Sequence, residues 1–303
     1  MIVGLDHGYG LIKTVNTVFM TGITRYEHEP YTLKNTLFYK GSYYVCGSNR
    51  QALIREKTQD DSYFLLTLAA LAGEVNFRSG AHEANIVLAA GLPLTRFGLD
   101  KQKFKEYLMR SPQKTHSFEF EGKPYAIRIK DVLLYPQGYA AIMDRIQELK
   151  KEPSVVICDI GSWTVDVMRL DNGIPNAEYC RSLEFGMIRC ISEISEQIRR
   201  SAGLSVTDTQ IENILFGKRC SANGDICRIA IEHGKAYASR IIGTLLENGF
   251  DIKAVPVIFL GGGAAFMERC IPKEAVCSAQ YITDIHANAK GYEQIAKQAY
   301  PDE

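Results

Sequence analysis

Two kinds of hydrophobic pattern alternate along the chain. Three short runs are apolar at every position: Ile2-Val3-Gly4-Leu5, Val155-Val156-Ile157-Cys158 and Val257-Ile258-Phe259-Leu260. Runs of this length, rich in β-branched residues, predict strands buried on both faces in the middle of a sheet. Each gives way to a glycine turn, Asp6-His7-Gly8-Tyr9-Gly10 after the first, Asp159-Ile160-Gly161-Ser162-Trp163-Thr164 after the second and Gly261-Gly262-Gly263 after the third. Elsewhere the period is helical. Met187, Ile191, Ile194 and Ile198 form one apolar stripe on a helix opening near Gly186, and Ile142, Ile146 and Leu149 form another after Pro136-Gln137-Gly138. Ala238, Ile241, Ile242 and Leu245 mark a helix that Gly249 stops, and Tyr292, Ile295, Ala296 and Ala299 a final one. Strands and helices in alternation predict an α/β fold whose sheets are covered on both faces.

The apolar runs also repeat. Asp6 and Asp159 each stand between such a run and a glycine turn, 153 positions apart in a chain of 303 residues. That length has room for two domains, and the spacing predicts two related halves. Glu148 to Pro153 is the expected linker, its charges those of a solvated helix end. The segment from Arg25 to Asp61 is richer in Tyr, Thr, Asn and charge. Within it, Thr36 to Val45 predicts a small meander turning at Lys40-Gly41-Ser42, an insertion outside the core of the first half.

Composition narrows the partners. Thirty-five basic side chains balance 35 acidic ones for a formal net charge of +0, so no direct nucleic-acid contact held by the overall field is expected. The stretch from Ala254 to Met267 is broken by Pro256 and three glycines and falls short of the roughly 20 apolar residues a membrane span needs. No membrane association is expected. The N-terminus carries no basic segment ahead of an apolar one, which places the protein in the cytoplasm. The 8 cysteines include no C-x-x-C pair and are expected as reduced thiols, with Cys158 in the core. The Cys220/Cys227 and Cys270/Cys277 pairs leave a disulfide or metal site as the lesser alternative.

An aspartate followed by a glycine-rich hairpin suits phosphate chemistry. Glycines let backbone N–H groups converge on one anionic oxygen, and an aspartate at the strand end holds Mg2+ directly or through its waters. Lys13 would reach the same phosphates as a point charge. One such turn is explained by turn conformation alone. A matched pair half a chain apart, with a third glycine turn, is not. The chain lacks both the G-x-x-x-x-G-K-[ST] loop and the G-x-G-x-x-G fingerprint, which removes the two commonest nucleotide folds.

These residues resemble the actin-like ATPase superfamily, which includes actin, the heat-shock chaperone ATPases, sugar kinases and plasmid-segregation actins. Asp6 to Lys13 resembles its first phosphate loop, Asp159 to Asp166 its second, Leu260 to Ala264 its adenosine motif and Tyr135-Pro136-Gln137-Gly138 its first connecting segment. Ile86 to Thr95, with its Leu-Pro-Leu-Thr turn, Ile129 to Val132 and Ser182 to Gly186 are most similar to the ParM/StbA plasmid actins. The resemblance implies the actin-like, ribonuclease H-like two-domain ATPase fold, with mixed sheets flanked by helices around a nucleotide cleft. Residues 1–150 with a C-terminal helix 286–303 would form the first domain and 151–285 the second.

The same resemblance implies attack of water on the γ-phosphate of ATP, GTP remaining open. Asp6 and Asp159 would organise Mg2+, largely through water. Gly8, Tyr9, Gly10, Lys13, Gly161, Ser162, Trp163 and Thr164 would take the phosphates, Gly186, Gly261, Gly262 and Gly263 the nucleoside, and Gln137 would orient the water. Two departures stand out. The plasmid actins carry Glu where this chain has Gln137, and an amide positions water without accepting its proton. Trp163, the one tryptophan, replaces a threonine of the second loop and is expected to pack in the core beneath it. His7 is expected to point to solvent. Implied partners are further copies of the chain in a filament and a DNA-binding adaptor for plasmid segregation. A nucleotide-gated adaptor that does not polymerise and a small-molecule kinase are the alternatives.

Overall fold

A computed structural model describes residues 1–48 and 56–301. The chain divides into two compact units, Met1–Asp144 with Ile285–Glu303, and Arg145–Asp284. The first unit runs β1 (Ile2–His7), β2 (Leu11–Thr14), β3 (Val18–Met20), β4 (Ile23–Tyr26), β5 (Thr36–Tyr39), β6 (Ser42–Cys46), α1 (Ser62–Ser79), β7 (Glu83–Leu92), α2 (Leu94–Met109), β8 (Thr115–Phe120) and β9 (Lys123–Pro136). A 3-10 segment, Ala140–Arg145, leads to α3 (Ile146–Leu149), β10 (Ser154–Ile160), β11 (Val165–Asp171), β12 (Ile174–Leu183), α4 (Met187–Ala202), α5 (Asp208–Leu215), α6 (Gly224–Glu247), β13 (Val257–Leu260), α7 (Ala264–Cys270) and β14 (Ala279–Tyr281). The last helix, α8 (Ala287–Ala299), returns to the first unit.

The repeat in the sequence is a repeat of topology. Among the described residues the first unit holds a nine-stranded sheet, β3-β2-β1-β7-β9-β8-β5-β6-β4, and the second a five-stranded sheet, β12-β11-β10-β13-β14. Its five strands match the first five of the larger sheet. β1 is antiparallel to β2 and parallel to β7, as β10 is antiparallel to β11 and parallel to β13. The register agrees as well, with Asp6 opposite Lys13 and Asp159 opposite Asp166.

β1 and β7 are central strands with helices on both faces, so their alternate residues enter different cores. Val3, Leu5, Ile86, Leu88 and Ala90 pack with the apolar residues of α1 and with Phe104 and Leu108 of α2, whereas Ile2, Val87 and Ala89 pack against Tyr292 and Ala296 of α8. In the second unit, β10 and β13 bury Val156, Cys158, Val257 and Phe259 beneath α4, α6 and α7. The stripe Met187, Ile191, Ile194 and Ile198 lies wholly in this core, on a helix bounded by Gly186 and Gly203. Asn223 caps α6 by accepting the Asp225 and Ile226 N–H groups, and Gly249 in the left-handed region follows its end.

Two expectations change. The Tyr- and Thr-rich segment is no appendage, because β5 pairs with β8 and carries the main sheet outward to β6 and β4. Leu37, Tyr39 and Cys46 enter the main core of the first unit. Residues 49–55 of that segment lie outside the described residues, as do 302–303 of the expected final helix. The Lys40-Gly41 turn forms as predicted, with φ of 51° and 78°, the positive values a two-residue hairpin turn requires. The segment after Gln137 is a 3-10 stretch with one α turn rather than a regular helix, although Ile142, Ile146 and Leu149 are all buried. Its start is pinned: the Asn288 side chain accepts the Gly138 N–H at 2.9 Å, and the Ala140 carbonyl abuts Gly291 of α8, where a Cβ would sit 1.9 Å from it.

All eight cysteines are free thiols, and no three His, Cys, Asp or Glu side chains gather as metal ligands among the described residues. No described helix is long and apolar enough to cross a membrane.

α8 docks on β1 so closely that Gly4 has no room for a side chain, since a Cβ there would lie 1.9 Å from the Ala289 carbonyl oxygen. Glu293 of α8 accepts the Gly4 N–H at 3.3 Å and pairs with Arg78 of α1 at 2.6 Å. Burial opposes the charge of Glu293, but Arg78, Lys297 and the Gly4 N–H outweigh it and hold the carboxyl below its ordinary value. A Gly4→Ala substitution therefore pushes α8 off β1 and should cost about 1–3 kcal/mol, the usual scale for overpacking. Urea unfolding of the two proteins measures it, and equal midpoints would refute the close packing.

Candidate functional site

Asp6 ends the run of β1 residues that face α8. Its side chain is buried, yet Oδ2 accepts from Lys13 Nζ at 2.9 Å and Oδ1 from the Gln137 amide at 2.7 Å. Burial raises a carboxyl pKa, but the charges of Lys13 and Lys57 and the two hydrogen bonds prevail, so Asp6 is held below its ordinary value. Asp6, Gly8, Tyr9, Gly10, Lys13 and Gln137 thus share one locality at the carboxyl end of β1, Gln137 arriving just past β9 with its own N–H on the Leu92 carbonyl at 2.9 Å.

His7 corrects an expectation. It is fully buried rather than solvent-facing, because β1 extends through it and strand alternation turns it to the side of Val3 and Leu5. There its Nε2 lies 2.8 Å from Thr67 Oγ1 of α1, and its ring meets Phe104 of α2 edge-on at 5.4 Å. Burial and the charge of Lys57, against the pull of Asp6, push its pKa down to about 3.

Three carbonyls of this first loop, those of His7, Tyr9 and Gly10, are engaged. Lys57, 6% exposed, donates to the His7 carbonyl. Thr21 holds two more, its hydroxyl donating to the Tyr9 carbonyl at 2.8 Å and its N–H to that of Gly10 at 3.2 Å. In a planar trans peptide the N–H points opposite the C=O. Each held carbonyl therefore leaves the N–H that follows it, of Gly8, Gly10 or Leu11, aimed away from the group that holds it. Sequence reasoning missed Lys57 and Thr21, which belong to no motif.

The second loop obeys the same rule by different means. The N–H groups of Gly186, Met187 and Ile188, the start of α4, donate to the carbonyls of Trp163, Gly161 and Ser162 at 3.0, 3.1 and 2.9 Å. The N–H groups that follow those carbonyls, of Ser162, Trp163 and Thr164, point away from the helix. Gly186 serves this packing directly, since a Cβ there would fall 2.3 Å from the Trp163 carbonyl carbon. Trp163 is only partly buried and lies outside the apolar cluster of its unit, contrary to expectation. Its Nε1 is enclosed without a hydrogen-bond partner.

The glycine triplet closes on the same strand end. Gly263 donates to the Ile160 carbonyl at 2.9 Å. At Gly261, whose φ is +84°, a Cβ would lie 2.1 Å from Asp159 Oδ1, while Gly262 faces open space. Asp159, Gly161, Ser162, Trp163, Thr164, Gly186, Gly261, Gly262 and Gly263 are therefore together in the second unit. Mg2+ fits these residues in a limited way. Both Asp6 oxygens already accept hydrogen bonds, and a carboxylate has about four lone-pair sites, so contact through water adds to them where a direct bond would displace Lys13 or Gln137. Asp159 Oδ1 packs against the Gly261 backbone, in the place a side chain there would take.

Both parts of the chain match known proteins. Residues 4–139 match the family of actin-like protein N-terminal domains, and residues 157–272 match the C-terminal domain of the archaeal MreB-like actin homologues. No curated protein matches the sequence. Among solved structures, an archaeal actin homologue in complex with ADP is 23% identical, with a TM-score of 0.75 over 98% of this chain and 99% of that one. A 15-stranded ParM filament from Clostridium botulinum is 21% identical, with a TM-score of 0.70 over 98% and 99%. Bacillus thuringiensis ParM with ATP is 16% identical, with a TM-score of 0.67 over 99% of each chain. At these identities the likeness is one of fold.

Neutral burial of His7 gives a pH signature. An unfolded histidine protonates near pH 6.5, but native His7 resists until about 3 and His116, buried beside Tyr39, until about 4. Below about pH 6.5 the unfolded chain takes up protons the native chain refuses, so stability falls as pH drops, by about 1.4 kcal/mol per pH unit for each histidine. Urea unfolding between pH 7 and 4.5 should show this slope, and His7→Gln should reduce it by about one proton's worth. An unchanged slope in that variant would contradict the burial of His7.

Proposed function

The chain belongs to the actin-like proteins, and from that membership we propose that it binds and hydrolyses ATP with Mg2+ and polymerises into filaments. The observation that carries the reading is the pair of glycine loops after β1 and β10, in each of which three carbonyls are held and the N–H groups that follow them point away from their holders. Such N–H groups receive phosphate oxygens. Gly8, Tyr9 and Gly10 line the first loop and Gly161, Ser162, Trp163 and Thr164 the second. Lys13 exchanges Asp6 for a phosphate when the nucleotide enters. Asp6 and Asp159 are the residues that would hold Mg2+ through its waters, and the ion would supply positive charge to the phosphates. Gly261, Gly262 and Gly263 leave room for the nucleoside, with Gly186 at the edge of the second loop.

Gln137 holds the attacking water. Its amide nitrogen is committed to Asp6, which leaves the amide oxygen as the acceptor, and an amide oxygen orients water without taking a full proton. Hydrolysis is accordingly slow, and the nucleotide state is long-lived. This favours a filament that stays intact between turnovers, moving DNA through an adaptor in the cytoplasm. The same feature supports the second reading, a nucleotide-gated adaptor that binds ATP without polymerising.

Sedimentation and electron microscopy with ATP and Mg2+ decide between them. Filaments should pellet above a critical concentration and disappear in Asp159→Ala. Gln137→Ala should keep nucleotide binding while phosphate release falls about 100-fold, the scale of losing the orientation of a reacting group. A monomer at every concentration despite bound ATP would reject polymerisation in favour of the adaptor.

A further inference from the structure

Both loops have three carbonyls held by hydrogen bonds, but different groups hold them. In the second unit the clamp is backbone: three N–H groups at the start of α4 hold three consecutive carbonyls. In the second unit β12 runs into α4, whereas in the first unit the matching strand, β3, runs through Thr21 into β4. Side chains and a backbone N–H from two other segments stand in that place. Lys57, from the stretch just before α1, holds the His7 carbonyl, and Thr21, just after β3, holds those of Tyr9 and Gly10.

Both groups are built in rather than incidental. Thr21 is 0% exposed and Lys57 is 6% exposed. The Lys57 ammonium lies over the Tyr9 ring, 4.8 Å from its centroid, and 5.7 Å from that of Tyr63 on α1. Holding an ammonium in so enclosed a position is costly unless it is hydrogen-bonded and faces compensating charge. The His7 carbonyl, two aromatic faces and the nearby Asp6 carboxylate supply this. Lys57 also acts on Asp6 at a distance. When Lys13 turns from Asp6 to a phosphate, Lys57 and the Gln137 amide remain to balance that carboxylate.

We propose that Lys57 and Thr21 are positioning residues for the first loop, doing with side chains what the start of α4 does for the second loop. They fix the peptide planes of His7–Gly8, Tyr9–Gly10 and Gly10–Leu11, so that the N–H groups are set for phosphate before the ligand arrives. Neither residue touches the phosphate itself. Pre-set donors bind without the cost of reorienting peptides, so loss of the clamp weakens phosphate recognition selectively. The inference rests on the reading of this site as a nucleotide site.

The test compares ADP and adenosine, which share a nucleoside and differ in the phosphates, by calorimetric titration of full-length protein. Lys57→Met and Thr21→Val each remove one clamp while nearly preserving volume. Each should weaken ADP binding about tenfold, the scale of one lost hydrogen bond of this kind, with adenosine binding unchanged. Lys57→Arg, which keeps charge and donors, should restore ADP binding to within about threefold of the original chain. A merely structural role would lower both ligands together, and an unchanged ratio of ADP to adenosine affinity in Lys57→Met and Thr21→Val overturns the proposal. Should Lys57→Met not fold, Thr21→Val and Lys57→Gln carry the same comparison. Failure of the unsubstituted chain to bind ADP would instead reject the nucleotide reading, so the two failures are distinct.

Discussion

A trans peptide cannot turn its carbonyl without turning the following N–H the other way, and both loops of this molecule are organised around that constraint. Whatever holds the carbonyls of residues 161–163 or of His7, Tyr9 and Gly10 decides where the donors point. In the second unit the holder is the start of α4, whose first N–H groups would otherwise lack partners. One set of hydrogen bonds therefore satisfies the helix terminus and shapes the loop at once. Gly186 is the residue that lets helix and loop approach within bonding distance.

Strand alternation imposes the second constraint, because β1 is covered on both faces. Residues 2, 4 and 6 face α8, and residues 3, 5 and 7 face α1 and α2. Asp6 and His7 are adjacent in sequence yet enter different surroundings. Asp6 meets Lys13 and Gln137 and keeps its charge, whereas His7 meets Thr67 and Phe104 and loses the capacity to take one near neutral pH. A neutral histidine adds no positive charge beside Asp6, so the electrostatics of the first loop are left to Lys13 and Lys57. The same alternation puts Gly4 beneath α8, tying the loop's strand to the last helix of the chain.

Much of this was legible in the sequence. The glycine turns after apolar runs, their spacing and the stripe on α4 all reflect local rules, and the structure turns each into an element at the expected place. What escaped detection depended on partners distant along the chain. α1 has no polar face to create a stripe, since Tyr63 to Ala72 are all buried, so the surroundings of His7 could not be anticipated. The β5–β6 hairpin was read as peripheral from its polar composition, but pairing with β8, some 80 residues later, makes it part of the sheet. Lys57 and Thr21 act on carbonyls, which every residue possesses, and recognition of that kind leaves no side-chain motif to find.

The two halves thus preserve a geometry while exchanging the means of producing it. Backbone donors at the start of α4 depend little on side-chain identity beyond the glycine, so the second loop tolerates a tryptophan at position 163. The first loop depends on the ammonium of Lys57 and the hydroxyl of Thr21, two groups a single substitution can remove. Thr21 lies between β3 and β4, and Lys57 follows β6, so both stand close in sequence to the outer strands of the larger sheet. A shift in those strands would reach the first loop through two hydrogen-bonding side chains, whereas the second loop is fixed to a helix buried in its own core. Of the two loops, the first is therefore the one whose donors respond to what happens elsewhere in its unit.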